Sequence, residues 1–154
     1  MTNKTLAAAI LLAAATAASA MGRRPPKTSG SGDAPAEDKM TILEWKGQQG
    51  GPQIHGHQIV YDADAWDAGW RELGQAAPAL DFARYAAVFV YVGQRPTGGF
   101  KVAFEDPIAQ GDDLLVRYRI LKPTGMVTQA ITHPWDVHAF PRPKGRVIVE
   151  YLVR

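Results

Sequence analysis

Cysteine is absent from the chain, which excludes disulfides, thiolate metal sites, a cysteine nucleophile and a lipid-modified cysteine. Serine occurs only at Ser19, Ser29 and Ser31, ahead of any segment able to fold, and no G-x-S-x-G turn exists. A serine nucleophile is excluded with it. Neither sign of charge is in excess: 17 Lys and Arg stand against 15 Asp and Glu, a formal net charge of +2. That balance points away from nucleic acid and from an anionic membrane surface. An apolar run long enough for a comfortable membrane span is also missing. No feature calls for a cofactor.

What the chain does have begins with a leader. Lys4 supplies a short positive region, residues 6–17 are a run of Ala, Leu, Ile and one Thr, and Ala18-Ser19-Ala20 is a small-x-small cleavage signature. Residues 1–20 are therefore expected to be a signal peptide with no membrane span after cleavage. Residues 21–38, MGRRPPKTSGSGDAPAED, are rich in Pro, Gly, Ser and charge and read as a disordered tether. A single β-rich domain is expected over 39–154, in a periplasmic or secreted protein.

Residues 40–45 and 56–61 read as short strands separated by the loop KGQQGGP. The period then changes. Asp62 or Asp64 can cap a helix, Trp66, Trp70 and Leu73 form one stripe, and Gly74 stops it. The spacing predicts a covering helix near residues 64–74. From residue 86 onward the period is two. Val88, Val90 and Val92 alternate with Phe89 and Tyr91, the pattern of a central strand apolar on both faces. Further strands are expected at 100–105, at 114–120, more weakly through Val127, Gln129 and Ile131, through Trp135, Val137 and Ala139, and at 147–153. The fold class is mainly β (α+β): an antiparallel sandwich or partly rolled sheet with one helix upon it.

Residues 93–100, GQRPTGGF, join the two clearest strands. Pro96 fixes its own φ and Gly98-Gly99 allow positive φ, so the segment reads as a tight hairpin presenting Arg95 and Thr97. Catalytic candidates are poor by comparison. The pairs Glu105-Asp106 and Asp112-Asp113 sit at strand–turn junctions, where carboxylates cap their own backbone. His55 and His57 share a strand face in the manner of two metal ligands, and His133, Asp136 and His138 could add to them. No third ligand has a defined spacing, so an envelope metal-binding protein is an alternative and no metal residue is assigned. No enzymatic activity is expected.

The ordered set Asp81-Phe82, VFVYVG at 88–93, RPTGGF at 95–100 and VTQAITHP at 127–134 resembles the PrcB-type protease-complex subunit family, roughly over residues 62–154. Phe100 and Met126 stand where relatives often carry Tyr and Cys. The resemblance implies a secreted accessory protein that assembles or stabilises an exported protease complex. RPTGG together with His133-Pro134-Trp135 is also similar to the loop motifs of chagasin-like cysteine-protease inhibitors. In a simple meander those two loops fall at opposite ends of the sheet, so the inhibitor alternative requires crossed strands. The expected role is protein–protein interaction. The contacts are Arg95, Pro96, Thr97, Gly98 and Gly99, with Trp135 as an aromatic anchor; a core position beside Val137 is the competing assignment for Trp135.

Overall fold

Both faces of one strand are buried, and the domain is layered around it. The computed structural model describes residues 41–153; the leader and the tether expected over 1–38 lie outside them. The elements run β1 (Leu43–Gly47), β2 (Gly56–Val60), α1 (Ala63–Glu72), β3 (Tyr85–Tyr91), β4 (Lys101–Phe104), β5 (Ile108–Gln110), β6 (Asp113–Leu121), β7 (Trp135–Pro141) and β8 (Val147–Tyr151). Along β3 the alternation sorts the side chains into two cores. Ala87, Phe89 and Tyr91 pack with Trp66, Trp70 and Leu73 beneath the helix. Ala86, Val88 and Val90 pack with Leu114, Val116 and Tyr118 beneath a second sheet.

The first sheet has the order β1-β7-β3-β2, every neighbour antiparallel. In the second, β6 pairs with β4 through residues 118–121 and with β5 through 113–115, and with β8 through 114–118. Because β8 overlaps both partners along β6, β4 and β5 lie on one side of β6 and β8 on the other. The result is a sandwich of two sheets with α1 on the outer face of the first, a mainly β fold as the periodicity indicates.

α1 forms for local reasons that the sequence displays. Asp62 is the N-cap, extended at φ −143° and ψ 164°, and its carboxylate accepts from the Ala65 amide at 2.8 Å. At the other end Gly74 takes φ +71°, Gly74 N donates to Arg71 O and Gln75 N to Trp70 O, which closes the last turn. Trp66, Gly69 and Trp70 form the buried stripe.

Four expectations need correction. Residues 93–100 are not a hairpin: β3 belongs to the first sheet and β4 to the second, so the segment crosses between layers. No strand forms at 127–131. The segment lies across the end of the sandwich, where no strand runs beside it, and one antiparallel bridge between Arg95 and Thr132 follows it. β5 falls between two turns and was not expected. β8 closes the second sheet parallel to β6, so that sheet is mixed.

Candidate functional site

Strand order gathers three loops at one end. β1 runs toward that end, β3 terminates there and β7 begins there, because Gly47 and Tyr91 both sit opposite Trp135. The loops 48–55, 93–100 and 122–134 therefore meet. Gln94 N donates to Gln53 O at 2.8 Å and His133 N to Gln48 O at 3.0 Å. Arg95 and Thr132 exchange two backbone bonds of 2.8 and 2.9 Å, and Gly98 N donates to Thr128 O. Thr132, buried, gives its hydroxyl proton to Thr97 O at 2.9 Å. These bonds satisfy backbone that no sheet serves and fix the loops as one unit. Gly99, at φ +85°, closes the 93–100 crossing: a Cβ there would come within 2.8 Å of Pro123.

The expected contact residues are dispersed by exposure. Pro96 and Gly99 face solvent, Arg95 and Thr97 are half-buried, and Gly98 is buried with its amide already engaged. Trp135 is only 3% exposed, and its indole N–H donates to Gln49 O at 3.0 Å beneath the first loop. Of its two assignments the core position is the one adopted, and it offers no aromatic anchor to a partner.

Apolar residues that the sequence does not single out as contacts are exposed instead. Six of the seven large hydrophobics exposed among the described residues lie at this end: Ile54, Met126, Ile131, Val153, Leu121 and Tyr151. Met126 is wholly exposed and Ile54 is 79% exposed. Isolated apolar residues on a surface are ordinary; a concentration of them on one end is the signature of a contact surface. For Ile54, Met126 and Ile131 the only signal in the sequence is an apolar residue set within a loop-like stretch; Leu121, Tyr151 and Val153 read as ordinary strand residues.

Beside this apolar surface is a groove of about 390 Å³ lined by Arg95, Phe100, Arg119, Lys122, Tyr151 and Leu152 among others. The Arg95 guanidinium lies 5.2 Å from the Phe100 ring centroid and one amino group donates to Val92 O, while its buried Nε has no partner among the described residues. Arg119 is paired with Glu105. The three loops contain no Asp or Glu at all. The surface is thus apolar with positive charge at its margin, and suits a partner that brings apolar side chains and a carboxylate.

Under the groove, His55 and His57 both reach the Tyr118 hydroxyl, at 3.0 and 3.3 Å. Tyr118 is fully buried, and burial with the neighbouring Tyr151 pushes its pKa up to about 12, so it remains a hydroxyl. The hydroxyl has one proton to give, so it can donate to one ring only, and the other ring bonds to it through its own N–H. Burial, then Arg95, then His57 hold the His55 pKa below its usual value. Among the described residues no group of three or more His, Cys, Asp or Glu is placed to hold a metal ion. The two histidines join the sheets.

Residues 86–141, from β3 through β7, match the family model described as PrcB C-terminal, so the resemblance carried by the motifs holds over that stretch. Loops 93–100 and 122–134 fall inside the match, whereas β1, β2, α1 and β8 fall outside it. No curated protein and no solved structure matches the chain.

Proposed function

We propose that this chain, PrcB-like from β3 through β7, is a non-catalytic subunit that binds an exported protease through the loop end of its sandwich. The carrying observation is the concentration of Ile54, Met126, Ile131 and Val153 on one end that has Arg95 at its margin and no carboxylate in its three loops. Export is inferred from the leader-like segment at 1–20, and none of the described helices is long and apolar enough to cross a membrane. The missing serine and cysteine nucleophiles agree with a binding role.

A second reading, inhibition of a cysteine protease, gains from one observation. The strands do cross, and Arg95–Gly99 lies at the same end as His133-Pro134. It loses from another, since Trp135 of the inhibitor-like motif is inside the core. Crosslinked capture from native envelope and medium separates the two. The assembly reading expects a protease that stays active in the captured complex and is lost with Met126→Asp, Ile131→Asp and with Arg95→Ala. Stoichiometric loss of activity would establish the inhibitor instead. If no protease is captured, the assembly reading fails.

A further inference from the structure

The two sheets differ in width, and the narrower one leaves a polar floor uncovered. The first sheet is four strands wide, with β1 at its edge. Across from it, β4 packs on β7, with the Phe104 ring stacked 3.9 Å from the His138 ring. On its far side β4 pairs with no strand among the described residues. A cleft of about 460 Å³ therefore opens over β1, between the free edge of β4 and a floor that includes Glu44, Lys46, Asp136 and His138. Phe100 and Phe104 supply aromatic wall.

The floor holds a buried carboxylate oxygen that no hydrogen bond from the described residues satisfies. Asp136 is 6% exposed, and its Oδ1 has no hydrogen-bond donor. His138 Nε2 stands 3.1 Å from it, close enough for an ion pair when the ring is protonated but without hydrogen-bond geometry, and among the described residues His138 Nδ1 has no partner. Lys46 stands directly opposite Asp136 in the β1–β7 register, but its ammonium turns to Glu44 at 3.8 Å. Lys101 is exposed on the β4 side. A buried carboxylate oxygen without a hydrogen bond is costly unless something brings it donors.

We propose that this cleft takes an extended segment of a partner protein, added as a strand to the β4 edge, with an arginine directed inward onto Asp136. Backbone pairing on a free edge is a general mode of peptide recognition, and alternate residues of the added strand point to the floor. Facing sheets stand about 10 Å apart, a distance that an extended arginine and an aspartate reaching toward it span together. The guanidinium has five donors and no acceptor, which suits the orphaned carboxylate oxygen, and its plane packs against the aromatic wall. The cleft flanks the loop end but does not depend on whether that end binds a protease.

The test is an NMR titration of the mature protein with two blocked peptides, threonine-valine-arginine-valine-threonine and its counterpart with glutamate at the centre. The arginine peptide is expected to shift the Val102 and Ala103 amides and the His138 ring saturably. Binding is expected to weaken about tenfold or more with the glutamate peptide, and likewise in Asp136→Asn. Lys46→Ala, which removes a competing cation, is expected to bind the arginine peptide at least as tightly. Equal affinity for both peptides, undiminished binding by a folded Asp136→Asn, or no shift along β4 at millimolar peptide would overturn the proposal. The two-peptide comparison uses the unaltered protein, so it decides the matter even if Asp136→Asn does not fold.

Discussion

Gly47 has no side chain because the Trp135 indole occupies the space: a Cβ there would sit 2.6 Å from the ring. The same indole meets Trp70 edge-on at 5.6 Å and holds the first loop through Gln49. Trp135→Ala is therefore predicted to cost about 3–5 kcal/mol, as aromatic truncations in a core do, read from the urea unfolding midpoint. An anchor residue would instead leave the midpoint unchanged and weaken partner capture. His55 yields a second prediction at this scale. Its folded pKa lies below the unfolded reference of 6.5, so its stabilising effect is complete above that value. As pH falls below 6.5 the unfolded chain takes up the proton first and stability declines toward the folded pKa. Between about pH 7 and pH 5 the unfolding midpoint is predicted to fall further in the unaltered protein than in His55→Gln. Equal falls would mean that His55 is not the group responsible.

At the scale of elements, α1 depends on close approach to β3. An alanine in a helix interior usually stabilises it by about 1 kcal/mol relative to glycine. Gly69 reverses the sign, because its added Cβ would lie 2.8 Å from the Phe89 ring. Gly69→Ala is predicted to lower thermal stability, and a raised melting temperature would show that the helix can lift without loss. Where local chemistry decides an element, the sequence makes it legible: the Asp62 cap, the Trp66–Trp70 stripe, the Gly74 stop and the two-faced β3 were all readable. Pairing is decided by distant partners and was not. The 93–100 crossing has the composition of a tight turn whether its strands share a sheet or not. Val127 and Ile131 alternate as a strand would, yet no strand lies alongside to accept their backbone. Nor does alternation tell parallel from antiparallel, which hid the direction of β8. The candidate surface is legible in the same measure. The composition of 93–100 singles out Arg95 and Pro96 as candidates, whereas the strand pattern through Val127, Gln129 and Ile131 hides the exposure of Ile131, and nothing local reveals that of Met126.

For the whole domain, topology converts three separated loops into one surface. Crossed connections bring 93–100, between the layers, beside 48–55 and 122–134, and reciprocal backbone bonds hold them there. A surface fixed in this way loses little conformational entropy on binding, so its exposed apolar area can contribute more fully to affinity. Under the proposed function, low charge in the loops, positive where present, would add discrimination in favour of acidic partners. Hydrogen exchange of the chain alone and in complex with its captured protease is the most direct test that this end is the docking surface. The account predicts slowed exchange confined to residues 48–55, 93–100, 121–134 and 151–153, with α1 unchanged. Protection on α1 and β1, with the loop end exchanging as in the free chain, would contradict it.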